Sequence, residues 1–113
     1  MAEWELPPPP PQPVDARIAC ARGAADACAR VAFELASRPD RRADELLAYR
    51  SRAVVAYAER CRGRQPVACV ALARIHELGL GVAPDPVQAE ALRVRAQELC
   101  AGPGAGRPGC GGG

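Results

Sequence analysis

Two nine-residue segments of the form C-x7-C constrain this chain more than any other feature. They are CARGAADAC at residues 20–28 and CRGRQPVAC at residues 61–69. Corresponding cysteines of the two segments lie 41 residues apart, and a fixed offset of this kind indicates an internal repeat. Each repeat must then fit within about 40 residues, the length of one helix–loop–helix unit.

Apolar residues recur at spacings of three and four, the pattern of amphipathic helices. We predict helices over residues 24–37, 41–60, 67–78 and 86–100, with one or two helical turns between Val14 and Cys20. The chain has one Phe, two Tyr and one Trp, so its core must consist of Ala, Leu and Val, which favours closely spaced helices over a sandwich or barrel. The sequence therefore predicts an all-α fold. The predicted inward-facing residues are Ala24, Ala27, Cys28, Val31, Leu35, Leu46, Leu47, Ala53, Val54, Tyr57, Cys61, Ala68, Ala71, Leu72, Ile75, Leu78, Ala89, Leu92, Ala96 and Leu99.

Local signals mark the ends of these helices. Asp40 is a candidate N-cap for the second helix, and Gly63 can take the left-handed conformation that closes it. Pro66 suits the first turn of the third helix. Asp85 is the candidate N-cap of the fourth, with Pro86 at its first position.

Composition divides the chain into a helical domain between two tails. Residues 1–14 contain five consecutive prolines and predict an extended, disordered tail, either a linker or a ligand for an SH3-like or WW-like domain. Residues 15–100 form the helical repeat domain, with repeat one at about 24–61 and repeat two at about 67–100. Residues 101–113 are a tail rich in Gly and Pro.

The second repeat carries a recognisable pattern. Ala68 and Leu72 are followed by Gly79-x-Gly81-Val82, Asp85 and Ala89. This arrangement resembles the Sel-one-like helical repeat, whose pattern is A-x3-LG-x2-Y-x2-G-x-GV-x2-D-x3-A. The C-x7-C segments resemble its cysteine-rich secreted subfamily, the Hcp type. In the earlier copy, Ala53, Tyr57 and Cys61 fit the helix ending A-x3-Y-x3-C of that subfamily.

The resemblance implies an architecture and a disulfide framework. The architecture is two stacked antiparallel helix hairpins in an α-α repeat solenoid like that of tetratricopeptide proteins, with disulfides across the outer turns. A disulfide closing nine residues contributes about 2.5 kcal/mol in the chain-entropy model, which matters for a domain of this size. The resemblance also implies a secreted, periplasmic or cell-surface location, and a cytoplasmic one is the alternative. The expected pairs are Cys20–Cys28, Cys61–Cys69 and Cys100–Cys110, the last holding down the C-terminal tail.

Metal binding and dithiol catalysis are the competing interpretations of six cysteines. Structural zinc sites and thioredoxin-type sites both use C-x2-C pairs, and the sequence contains none. The single histidine, His76, lies far from any such pair. We therefore expect no metal ligand and no cofactor.

Binding to a protein or peptide is the expected function, because stacked hairpins form a concave face. The candidate contacts, chosen by helical periodicity, are Arg30, Glu34, Arg74 and Glu77. Nucleic acid is not expected as a partner, because the arginines between residues 50 and 64 are interleaved with Glu59 and lack aromatics for base stacking. Membrane insertion is not expected either, since no apolar run approaches the roughly 20 residues that a bilayer requires.

The alternative function is that of a small secreted enzyme or cell-wall-active protein using His76 with Glu77. A lone histidine can act as a general base when a nucleophile lies beside it. The two serines, Ser37 and Ser51, lack the setting of a nucleophile elbow. We therefore expect no catalytic residue, and we expect His76 to be a half-buried packing residue.

Overall fold

The computed structural model describes residues 13–39, 42–104, 106 and 110, and this part of the chain is all-α, with no strand. Residues 1–12 of the predicted proline-rich tail and much of the C-terminal tail lie outside it, as does Asp40. No described helix is long and apolar enough to cross a membrane. The helices are α1 (Pro13–Ala21), α2 (Ala25–Ala36), α3 (Ala43–Arg62), α4 (Pro66–Leu78) and α5 (Pro86–Cys100), followed by a short 3-10 helix (Gly102–Gly104).

Each helix packs mainly against its neighbours in the chain. The close pairs are α1 with α2, α2 with α3, α3 with α4, and α4 with α5. One apolar cluster runs from the end of α1 to α5 and buries Tyr57, Leu72 and Leu92. A smaller cluster joins α1, α2 and the start of α3 around Val31 and Leu46. Many of the buried side chains are alanine, and such small side chains let helix axes approach closely.

The α1–α2 and α3–α4 turns have the same backbone hydrogen bonds at an offset of 41 residues. In the first turn, Ala24 N–H donates to the Ala19 carbonyl at 3.0 Å; in the second, Gln65 N–H donates to the Arg60 carbonyl at 3.1 Å. Two C-x7-C segments of different sequence therefore fold in the same way.

The left-handed residue of the second turn differs from the prediction. Gly63 was the expected position, but its φ is −75°, whereas Arg64 has a φ of 66°. Arg64 corresponds to Gly23 of the first turn, whose φ is 94°. The third residue after the cysteine takes this conformation in both copies, so the geometry of the turn, and not the position of the glycine, decides which residue is left-handed.

Disulfides join the three expected cysteine pairs. Cys20–Cys28 and Cys61–Cys69 cross the α1–α2 and α3–α4 turns, with Cα–Cα distances of 4.6 and 4.7 Å. Cys100–Cys110 joins the end of α5 to the C-terminal segment, with a Cα–Cα distance of 5.4 Å. The first two pairs are buried, whereas Cys100 and Cys110 are half-buried.

The loop between α4 and α5 packs closely against α3. Gly79 and Gly81 both have left-handed backbone, with φ of 73° and 82°. A Cβ atom at Gly81 would lie 2.7 Å from the Cβ of Arg50, so only glycine lets the loop approach α3 this closely. The loop ends at Asp85, whose carboxylate accepts the predicted cap hydrogen bond from Gln88 N–H at 3.0 Å.

Two leucines predicted to face inward are exposed. Leu47 and Leu78 each keep 55% of their accessible surface. Neighbouring helical residues point about 100° apart, and Leu46, not Leu47, belongs to the smaller apolar cluster with α1 and α2. Leu78 is the last residue of α4, where the chain turns away at Gly79.

Candidate functional site

A groove of about 450 Å³ lies between α2, α3 and the α4–α5 loop, and we call it the α2–α3 groove. The close approach of Gly81 to α3 brings Leu80 to its edge. The groove thus combines residues from three segments that are distant in the sequence. Its apolar lining consists of Ala29, Phe33, Ala36, Ala53 and Leu80, and its charged lining consists of Asp26, Arg30 and Arg50.

Phe33 is the most unusual residue in this groove. It is the only phenylalanine of the chain, and 76% of its surface is exposed. Burying a phenylalanine stabilises a protein by about 1.5–3 kcal/mol, and Phe33 contributes little of this to the fold. Large exposed aromatic side chains are typical of binding hot spots, where they are buried only in the complex.

The charges in the groove are only partly balanced. Asp26 accepts a hydrogen bond from the Tyr57 hydroxyl at 2.5 Å. Burial of the Tyr57 ring, followed by this hydrogen bond, raises the pKa of Tyr57. Within the described part of the chain, neither Arg30 nor Arg50 forms an ion pair or a side-chain hydrogen bond. Both guanidinium groups are therefore available to an anionic ligand.

The predicted contact residues are distributed over different surfaces. Arg30 lines the α2–α3 groove, whereas Glu34 lies half-buried on α2 outside it. Arg74 is exposed on α4 and does not line the groove. Glu77 forms an ion pair with Arg93 of α5. The structure therefore brings only one of the four, Arg30, to the groove.

The side chains of His76 and Glu77, the two residues of the alternative enzymatic hypothesis, form no hydrogen bond with each other. His76 is half-buried, and among the described residues its Nδ1 atom has no hydrogen-bond partner. Glu77, the proposed second group, pairs with Arg93 instead.

Phe33, Arg50 and Leu80 line the α2–α3 groove but are not among the contact residues predicted from the sequence. A signal for Phe33 was present, because it lies off the buried stripe of α2 and one turn after Arg30. Nothing in the local sequence indicates that Arg50 and Leu80 join them, since that depends on how the loop packs against α3.

The part of the chain that the structure describes contains no candidate metal-binding site. All six cysteine sulfur atoms are engaged in disulfides. No group of three His, Cys, Asp or Glu residues there is arranged to hold a metal ion.

Comparisons of the chain with protein-family models, with curated proteins and with solved structures gave no match. The α2–α3 groove is therefore interpreted from its own geometry.

Proposed function

We propose that the chain is a disulfide-stapled helical repeat module that binds a protein or peptide in the α2–α3 groove. The observation that carries the proposal is the exposure of Phe33 beside Arg30 and Arg50, two arginines that form no ion pair with any described residue. In this proposal α2 with α3 and α4 with α5 are antiparallel hairpins of the Sel-one-like kind, stacked as repeats. The packing of each helix on its chain neighbours and the matching hydrogen bonds of the two turns support it.

We further propose that the protein functions outside the cytoplasm, in the secreted, periplasmic or cell-surface environment. Disulfides persist in oxidising compartments and are rare elsewhere. Protein isolated from its native host, denatured without reductant, should show few or no free thiols. Six free thiols and an unchanged melting temperature after reduction would contradict both this location and the stabilising role of the disulfides.

Selection from a random-peptide display library tests the binding function without knowledge of the natural partner. The library is selected on the wild-type protein, and enriched peptides are tested against a Phe33→Ser variant. The control variant is Val87→Ser, since Val87 on α5 is as exposed as Phe33, at 79% against 76%, but lies outside the groove. We expect the enriched peptides to bind the wild type and Val87→Ser and to bind Phe33→Ser weakly.

Two results would contradict the proposed function. One is a selection that enriches no peptide above the level seen with an unrelated protein. The other is equal binding of the enriched peptides to Phe33→Ser and to the wild type, which would remove the groove from the binding site.

A further inference from the structure

We propose that the α2–α3 groove recognises a short segment of a separate polypeptide in which acidic side chains adjoin large aliphatic ones. This inference rests on the proposed function, because it names the class of peptide that the same groove binds.

The charges of the groove provide the first part of the argument. Its lining contains two arginines and one carboxylate, that of Asp26, one oxygen of which accepts a hydrogen bond from the Tyr57 hydroxyl. Arg30 has Asp26 four residues before it and Glu34 four residues after it on α2, yet it pairs with neither. Acidic groups at these spacings on a helix are well placed to neutralise an arginine. Here neither carboxylate forms an ion pair with Arg30, and the two arginines and one aspartate of the lining give it a net charge of +1.

Arginine determines the kind of anion that fits. The planar guanidinium group presents its donors in a fork that matches the two oxygens of a carboxylate. Arg50 is half-buried, and contact with a ligand would shield its interactions further from water. A carboxylate there would be held more firmly than one on a fully exposed surface.

The apolar lining provides the second part of the argument. Phe33 and the half-buried Leu80 supply the larger apolar surfaces, and three alanines line the space between them. The short alanine side chains leave room for an aliphatic group of the ligand. The volume of about 450 Å³ lies within the usual range for small-ligand sites and suits a few side chains of a peptide.

The test is a fluorescence anisotropy titration with three labelled hexapeptides, each blocked at both ends. The probe is Gly-Glu-Leu-Glu-Leu-Gly. In the first control peptide glutamine replaces both glutamates, and in the second, serine replaces both leucines. We expect the probe to bind about tenfold more tightly than either control, the difference expected for one charge-assisted hydrogen bond or one buried aliphatic side chain.

Substitutions in the protein locate the interaction. Arg30→Gln/Arg50→Gln should weaken binding of the probe by about tenfold or more and remove the preference for glutamate over glutamine. The control is Arg74→Gln, which changes an exposed arginine outside the groove and should leave the affinity unchanged. Arg30→Glu/Arg50→Glu should instead favour Gly-Lys-Leu-Lys-Leu-Gly. An unfolded variant would bind neither peptide, so this reversal of preference distinguishes altered recognition from loss of folding. Circular dichroism checks the folding of each variant.

Several outcomes would overturn the inference. Equal affinity for the glutamate and glutamine peptides would do so while leaving the proposed binding function in place. A change in binding free energy for Arg74→Gln at least half that for Arg30→Gln/Arg50→Gln would show attraction by overall charge, because the control removes one charge and the groove variant removes two. Absence of binding by the probe would overturn the inference alone, since the display selection tests the binding function separately.

The chain itself contains a segment with the acidic and aliphatic residues proposed for the ligand. Residues 3–6 are Glu-Trp-Glu-Leu. The titration is therefore repeated with a Glu3→Gln/Glu5→Gln variant. An unchanged affinity supports a separate peptide as the ligand. A gain of about threefold or more would show competition by this segment and would overturn the inference.

Discussion

Replacing Gly81 with alanine should destabilise the protein through two separable effects that together cost about 2–5 kcal/mol. The first is conformational, because the φ of 82° at Gly81 is left-handed and costs an L-residue about 1–2 kcal/mol. The second is steric, because the new Cβ would lie 2.7 Å from the Cβ of Arg50. Both carbons are attached directly to backbone, so relief requires the loop to move from α3, at a cost of about 1–3 kcal/mol.

Gly23→Ala is the matched control for this substitution. Gly23 has a φ of 94°, and a Cβ placed there would have no atom within 4 Å. Alanine in place of glycine also lowers the entropy of the unfolded chain, by about 0.4–1 kcal/mol, but this term is the same in both variants and cancels. The difference between the two variants therefore measures the contact between the loop and α3.

Urea unfolding followed by circular dichroism provides the measurement. For a small protein with a slope of about 1–3 kcal/mol per molar urea, a difference of about 2 kcal/mol lowers the midpoint of Gly81→Ala by about 1 M relative to Gly23→Ala. Equal midpoints would refute the close packing of the loop on α3. Because this packing brings Leu80 to the α2–α3 groove, Gly81→Ala should also weaken peptide binding.

Three further predictions concern a helix cap, the Tyr57 hydroxyl and the half-buried disulfide. Asp85→Ala should lower the free energy of unfolding by about 1 kcal/mol, because the hydrogen bond from Gln88 N–H is lost; an unchanged urea midpoint would argue against the cap. The pKa of Tyr57 is raised in the folded state, so its contribution to stability is present below the ordinary tyrosine pKa of about 10 and is lost as pH rises above it. The free energy of unfolding of the wild type should therefore fall more steeply above about pH 10 than that of Tyr57→Phe, and parallel pH profiles would contradict this. Dithiothreitol should reduce Cys100–Cys110 before the two buried disulfides, since its two cysteines are half-buried and theirs are buried; alkylation and mass spectrometry would show the order, and earlier reduction of a buried pair would contradict it.

Interactions within a few residues could be predicted from the sequence. The helices at 67–78 and 86–100, and the Asp85 cap of the latter, follow from apolar periodicity and from the side chain that precedes the first turn. The all-α class follows from the shortage of aromatic residues and from the spacing of alanine, leucine and valine. The cysteine pairs were expected through the family resemblance, and both C-x7-C turns bring their cysteines to similar separations. Each of these features depends on residues that are close in the sequence, and the backbone limits how far apart such residues can lie in space.

The site itself depended on contacts between distant segments. Phe33 and Arg30 could be assigned to one helix, but Arg50 and Leu80 join them only because Gly81 allows the loop to rest on α3. Likewise, the sequence placed Glu77 on the outer side of α4 as a candidate contact, and only the packing of α5 pairs it with Arg93. The sequence by itself thus determined the helices, the Asp85 cap and the all-α class. The tertiary structure decided which exposed side chains meet, because that depends on how closely separate segments approach, and no local spacing specifies this distance.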